Sequence, residues 1–304
     1  MKINRFIVQR IAAWMERGNE KRRKRTKLDH GSQSLYDINY VKDGDPHHCF
    51  DLLKADSPNR LNRLIVDLHG GAYIYGTRKN NHAFASFFRS LGYDVCLGDY
   101  DLVAGDVTVE NQIHDCTLLI KYLREHVREL GIEADDVFLS GDSSGGHLAL
   151  LLAEAFSDPF LAAQLKIELH GLSIKAVLVN CPVYDFAEVT GKSLCTAGAA
   201  RYVFGPHFSE EPWFRKFSPR TYLKQLKVPL FFSSSRHDPL LREAKKLECD
   251  LQKSSLPYEF VYIRERGPKT GHIHNVSFPD TTEARRVNLA MATFMDKWAT
   301  NLKN

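Results

Sequence analysis

Gly141-Asp142-Ser143-Ser144-Gly145-Gly146 sets a serine among glycines, between a short apolar run, Asp136 to Ser140, and a helix start at His147 to Glu154. A serine on such a sharp strand-to-helix turn is lifted clear of the sheet, where its hydroxyl can act as a nucleophile. The turn strains the serine backbone, and side chains at Gly141 and Gly145 would collide. A glycine-rich loop ahead of a helix can instead cradle a phosphate, because free N–H groups there attract anions. Against that reading, the sequence has no Gly-x-x-x-x-Gly-Lys-Ser/Thr and no Gly-x-Gly-x-x-Gly after a strand. A nucleophilic serine needs a base and a site that stabilises negative charge, so the rest of the chain must supply both.

His69-Gly70-Gly71-Ala72-Tyr73 follows the apolar run Arg63 to Leu68. Acyl transfer develops negative charge on a carbonyl oxygen, and removing one preorganised donor to it typically costs about 10²–10³ in rate. A His-Gly-Gly loop offers backbone N–H groups with no side chain in the way. A glycine pair is also an ordinary turn. Its place upstream of a serine turn favours the oxyanion reading.

Together these two motifs resemble the hormone-sensitive-lipase-like esterases and acetylesterases of the α/β-hydrolase fold, over a span from Val41 to the C-terminus. The resemblance implies a serine–acid–histidine order along the chain. It implies an oxyanion hole from Gly70, Gly71, Ala72 and the residue after the nucleophile, Ser144, through backbone N–H groups, with His69 bracing the loop. The acid falls at Asp238, in Arg236-His237-Asp238-Pro239-Leu240, after a predicted strand. There a buried carboxylate would orient the imidazole; an aspartate before proline is otherwise a common turn residue. The base lies in Gly271-His272-Ile273-His274. The register of the relatives favours His272, with His274 as the alternative. Where relatives read Tyr-Arg-Leu-Ala-Pro, this chain has Tyr100-Asp101-Leu102-Val103-Ala104, which removes a local anchor; Asp115 remains as a candidate buried carboxylate.

The elements that must position these residues follow from periodicity. Short apolar strands are predicted near Tyr40, at 48–53, 63–68, 93–97, 136–140, 175–179, 229–233 and 258–263. Helices are predicted at 83–89, at 109–130 with Gly131 as its stop, and from about Thr281. Strands alternating with helices argue an α/β class: a mostly parallel sheet with helices on both faces. Residues 1–35 read as an amphipathic helical segment and 185–225 as an aromatic insertion, the two halves of a small helical lid over one domain, 1–304.

The 304 residues, 43% hydrophobic and 26% charged, suit one large core. A net charge of +4 is too weak to argue for nucleic acid. Lys21-Arg22-Arg23-Lys24-Arg25 could be an anionic-surface patch but reads first as the solvated end of the first helix. No run approaches the ~20 apolar residues of a membrane span. The six cysteines, Cys49, Cys96, Cys116, Cys181, Cys195 and Cys249, are scattered, as buried free thiols of a cytoplasmic protein would be. His30, His47 and His170 read as surface or packed groups.

The expected reaction is hydrolysis of a small-molecule, short-to-medium acyl ester through an acyl-enzyme. It needs no metal or organic cofactor and no stable membrane insertion, and it leaves homodimerisation open. An aryl-formamidase or other amide hydrolase on the same fold, and a ligand-binding relative without catalysis, are the alternative readings.

Overall fold

The computed structural model describes residues 5–25, 31, 33–56, 58–103, 107–132, 136–169, 173–185, 215–267 and 269–300. His30, His170, Cys195 and most of the expected 185–225 insertion lie outside them. Eight strands form one sheet in the order β1-β2-β4-β3-β5-β6-β7-β8. They are β1 (Leu35–Asn39), β2 (Cys49–Leu53), β3 (Leu64–Leu68), β4 (Asp94–Gly98), β5 (Val137–Asp142), β6 (Ile174–Asn180), β7 (Leu230–Ser235) and β8 (Tyr258–Ile263). The first two pairings, β1 with β2 and β2 with β4, are antiparallel; every pairing from β4 to β8 is parallel. The first strand signal, near Tyr40, resolves into β1 just upstream of that residue.

Strand β3 shows why such continuous apolar runs belong inside. All five residues are buried, and alternate side chains feed two cores. Leu64, Val66 and Leu68 join one with Leu119, Leu148 and Val177. Ile65 joins the other with Phe84, Phe138, Val287 and Met291. Burying side chains of this size is worth roughly 1.5–3 kcal/mol each. Helices α1 (Arg5–Arg25), α2 (His82–Ser90), α3 (Val109–Glu125), α4 (Val127–Leu130), α5 (Ser143–Ser157), α6 (Pro159–Gln164), α7 (Pro219–Tyr222), α8 (Leu241–Leu251), α9 (His274–Ser277) and α10 (Thr282–Trp298) complete the described fold.

The helix predicted over 109–130 is two helices. At His126 the backbone leaves helical geometry (φ −114°, ψ 18°). Its Nδ1 lies 2.9 Å from the Tyr122 carbonyl and its ring stacks on Tyr122 at 4.0 Å, so the side chain competes for a backbone acceptor. Gly131, left-handed at φ +60°, still closes the second piece.

The basic run at the end of α1 is not simply a solvated helix end. Arg22 turns inward, bonding Ser277 Oγ and, at 3.4 Å, the Asn80 carbonyl. Arg23 pairs with Glu16 at 2.8 Å and bonds Asn80 Oδ1. Two arginines thus tether α1 to the turn that follows the His69 loop. Among the cysteines, Cys49, Cys96, Cys116 and Cys181 are buried free thiols, whereas Cys249 on α8 is exposed.

Candidate active site

Parallel strands deliver their C-terminal ends to one edge of the sheet, and Ser143 stands there on the turn from β5 into α5. It is left-handed at φ +53° and half-buried. That conformation costs an L-residue of order 1–3 kcal/mol and persists where surroundings over-determine it. Gly145 is part of that constraint. A Cβ there would meet the Leu68 carbonyl oxygen at 2.0 Å and the His69 oxygen at 2.4 Å. Helix α5 therefore packs backbone to backbone against the start of the His69 loop.

On the other side of the serine, His272 Nε2 lies 3.0 Å from Ser143 Oγ, and its Nδ1 lies 2.7 Å from Asp238 Oδ1. Asp238 follows β7 and its side chain is fully buried, while the His272 side chain is 30% exposed and so open to substrate and water. Burial pushes the Asp238 carboxyl up. The His272 imidazole outweighs it, with help from Ser234 and Cys181, and holds the group below the usual carboxylate range. Ser234 Oγ donates at 2.6 Å and the Leu240 amide at 2.9 Å. His274 is buried, and neither ring nitrogen makes a hydrogen bond among the described residues. Burial keeps its pKa low. The structure thus brings His272, and not His274, between the serine and the acid.

The His69 loop is held in a backbone conformation that few residues adopt. Gly71 (φ +147°), Ala72 (φ +49°) and Tyr73 (φ +69°) are consecutive residues of positive φ, and a Cβ on Gly71 would fall 1.6 Å from the Tyr75 oxygen. His69 braces the loop from within. Its ring stacks on Tyr100 at 4.5 Å, its Nδ1 lies 2.8 Å from the Gly70 oxygen, and its own carbonyl accepts from Tyr100. One of the expected donors is engaged elsewhere: the Gly70 amide points at Asp142 Oδ1, 3.1 Å away. The nucleophile motif and the loop are joined by that bond, so Gly70 leaves the donor set. The amides of Gly71, Ala72 and Ser144 are the remaining expected donors.

Sequence reasoning passed over the polar layer beneath. Asn81 Nδ2 donates to Asp142 Oδ1 at 2.7 Å and to Asp67 Oδ2 at 2.8 Å, and Ser140 Oγ donates to Asp67 Oδ1 at 2.7 Å. Burial, then the neighbouring Asp142 charge, pushes the Asp67 carboxyl up to about 7. Burial raises Asp142 as well. A charged residue in the middle of buried β3 was the available signal for Asp67. Cys181, read only as a buried thiol, accepts the Ile273 amide at 3.3 Å beside the Asp238 carboxylate. Asp115 is buried and accepts the Asp101 amide at 3.1 Å, anchoring that segment from its backbone.

Residues 50–250 match the family model described as BD-FAE. Esterase LipQ of Mycobacterium tuberculosis is 25% identical over 192 residues, 62% of this chain and 45% of that protein. An acetyl esterase of Salmonella typhi is 23% identical over 206 residues, 64% of this chain and 60% of that one. The chain thus covers less than two thirds of the length of either relative. Among solved structures, an inhibited esterase B from Lactobacillus rhamnosis superposes with a TM-score of 0.87 at 23% identity, over 96% of this chain and 95% of that one. Fold, motifs and family model agree: the chain belongs to the BD-FAE family and has the α/β-hydrolase fold.

Proposed function

We propose that this protein is a serine carboxylesterase acting on short-to-medium acyl esters. The observation that carries the reading is the hydrogen-bonded line Ser143–His272–Asp238, at 3.0 and 2.7 Å, on a strained turn facing the His69 loop. His272 Nε2 takes the Ser143 proton as Oγ attacks the ester carbonyl. The oxyanion is received by the amides of Gly71, Ala72 and Ser144. The imidazolium, steadied by Asp238, protonates the leaving alcohol as the tetrahedral intermediate collapses to the acyl-enzyme. Water, deprotonated by the same nitrogen, attacks the acyl carbonyl, and Ser143 regains its proton as the acid departs. None of these steps calls on a metal or organic cofactor. Helix α1, tethered to Asn80 through Arg22 and Arg23, acts as one half of a lid in this reading, with 185–225 as the other half.

Acetyl-ester relatives and the esterase neighbour support the acyl class. The decisive variant is Ser143→Ala. Hydrolysis of a chromogenic acetyl or butyryl ester should fall by roughly 10⁴–10⁶-fold with circular dichroism unchanged. A fluorophosphonate probe should label the wild type and leave the variant unlabelled. Full turnover by Ser143→Ala would sink the reading.

A further inference from the structure

A second set of ligand-type side chains stands apart from the serine, where three elements meet. His48 precedes β2, Asp101 follows β4, and Asp115 lies within α3. His48 Nε2 and one carboxylate oxygen of each aspartate all lie within 4.8 Å of one another. The Nε2 is 3.4 Å from Asp115 Oδ1 and 4.0 Å from Asp101 Oδ1. His114, on the same helix as Asp115, is 62% exposed and lies outside this set. Around a tetrahedral zinc ion, with bonds of about 2.0–2.2 Å, ligand atoms stand roughly 3.3 Å apart. The two distances from His48 Nε2 exceed that edge by about 0.1 and 0.7 Å.

Two features separate this set from an ordinary acidic patch. The His48 Nε2 atom is buried and has no hydrogen-bond partner among the described residues, although it faces two carboxylates. Its other nitrogen, Nδ1, is already fixed by Asp43 Oδ2 at 2.6 Å. A carboxylate on the far nitrogen is the arrangement that orients a metal-bound histidine and leaves the near nitrogen as the ligand. Asp115 is likewise oriented: its Oδ2 accepts the Asp101 amide at 3.1 Å while Oδ1 faces His48. Side-chain exposures of 12% for His48, 20% for Asp101 and 6% for Asp115 describe a recessed site that a small ion can still enter.

We propose that His48, Asp101 and Asp115, with water completing the set, bind one divalent cation of the zinc type. Imidazole with carboxylate suits such ions, whereas calcium and magnesium favour all-oxygen sites. The ion would clamp the β1–β2 turn, the exit of β4 and α3 together. The β4 exit carries Asp99 and Tyr100, and Tyr100 donates to the His69 carbonyl. The clamp therefore acts on the support of the His69 loop and takes no part in bond making or breaking.

The test is zinc itself, titrated by calorimetry and equilibrium dialysis into the whole chain after chelator treatment. One equivalent should bind, and the thermal midpoint should rise with zinc concentration. His48→Gln and Asp101→Asn should each abolish that equivalent. Asp43→Asn should weaken it by about 10–100-fold. Circular dichroism without zinc checks that each variant folds, and Asp101→Asn is near-isosteric at a partly exposed position. Cys181, Asp238 and His272 form another potential ligand set, so the titration is repeated in His272→Ala, where the equivalent should persist. The proposal is overturned if the wild type binds no equivalent, if the equivalent survives either His48→Gln or Asp101→Asn, or if His272→Ala removes it.

Discussion

Ser143 is flanked by buried carboxylates that the protein treats in opposite ways. On one side Asp238 accepts from His272, Ser234 and the Leu240 amide, and its pKa is held low. On the other side Asp142 and Asp67 share a single amide group, that of Asn81, and both pKa values are raised. All three side chains are buried, so burial does not distinguish them. The number and charge of the donors facing each one does. The Asp238 side is built from side chains and carries a negative charge that a developing imidazolium needs. The Asp142 side accepts the Gly70 backbone amide and fixes the relation between the serine turn and the oxyanion loop.

The side-chain half should be the more sensitive to single substitutions. His272→Ala removes the only imidazole that spans Ser143 and Asp238 among the described residues. Ester turnover should fall by roughly 10⁴–10⁶-fold, and Asp238→Asn, which leaves the shape but misorients the ring, should cost about 10⁴. His274→Phe, two residues away, should change turnover by less than about tenfold, because its ring nitrogens hydrogen-bond to neither partner. Steady-state kinetics on one chromogenic ester compares all three. A larger loss in His274→Phe than in His272→Ala would reverse the assignment of the base.

The backbone half is broken by adding an atom. In Gly145→Ala the new methyl would sit 2.0 Å from the Leu68 oxygen, so α5 and the His69 loop must part. A shift near 1 Å of a positioning group can cost about 10²-fold, and overpacking of this kind typically costs about 1–3 kcal/mol of stability. The expected result is a stable but slow enzyme, its kcat down by about 10² and its melting temperature lowered by several degrees. Unchanged kcat would mean that the loop does not depend on this contact.

The same division explains what could be read before the structure. The serine turn and the His-Gly-Gly loop are legible because their backbone admits few residue types: φ of +53° at Ser143 and +147° at Gly71 leave marks in the sequence. Apolar strands covered on both faces are legible as continuous runs, and their mostly parallel direction follows from their alternation with helices. The base was harder. His272 and His274 have the same chemistry two residues apart, and only the left-handed Ile273 (φ +47°) between them sends one ring to the serine and the other into the interior. Gly70 was placed in the oxyanion hole because its amide lies in the loop; nothing local reveals that Asp142, 72 positions away, accepts from it. Asn81 and His48 owe their importance to partners from distant segments, and no short pattern announces them.

The smallest effect tests the comparison most directly, because it concerns the sign of a slope. The folded-state pKa of Asp67 is near 7, above its ordinary value of 3.8. Between those values the folded chain keeps a proton that the unfolded chain has released, so stability falls as pH rises through the window and the loss is complete above about pH 7. Asp238 has the opposite sign. Its lowered pKa contributes stability above the unfolded value, and that contribution is lost as pH falls through the folded one. Asp67→Asn retains oxygen and nitrogen where Asn81 and Ser140 meet the side chain, and removes the titration. Relative to wild type, the variant should therefore gain melting temperature at pH 8 over pH 5. Glu243, also raised to about 7, is present in both chains and cancels in the difference. A Tm difference between variant and wild type that stays flat from pH 5 to pH 8 would show that Asp67 is charged throughout. The carboxylates on the two sides of Ser143 would then be alike in charge, and the contrast between them would lie in geometry alone.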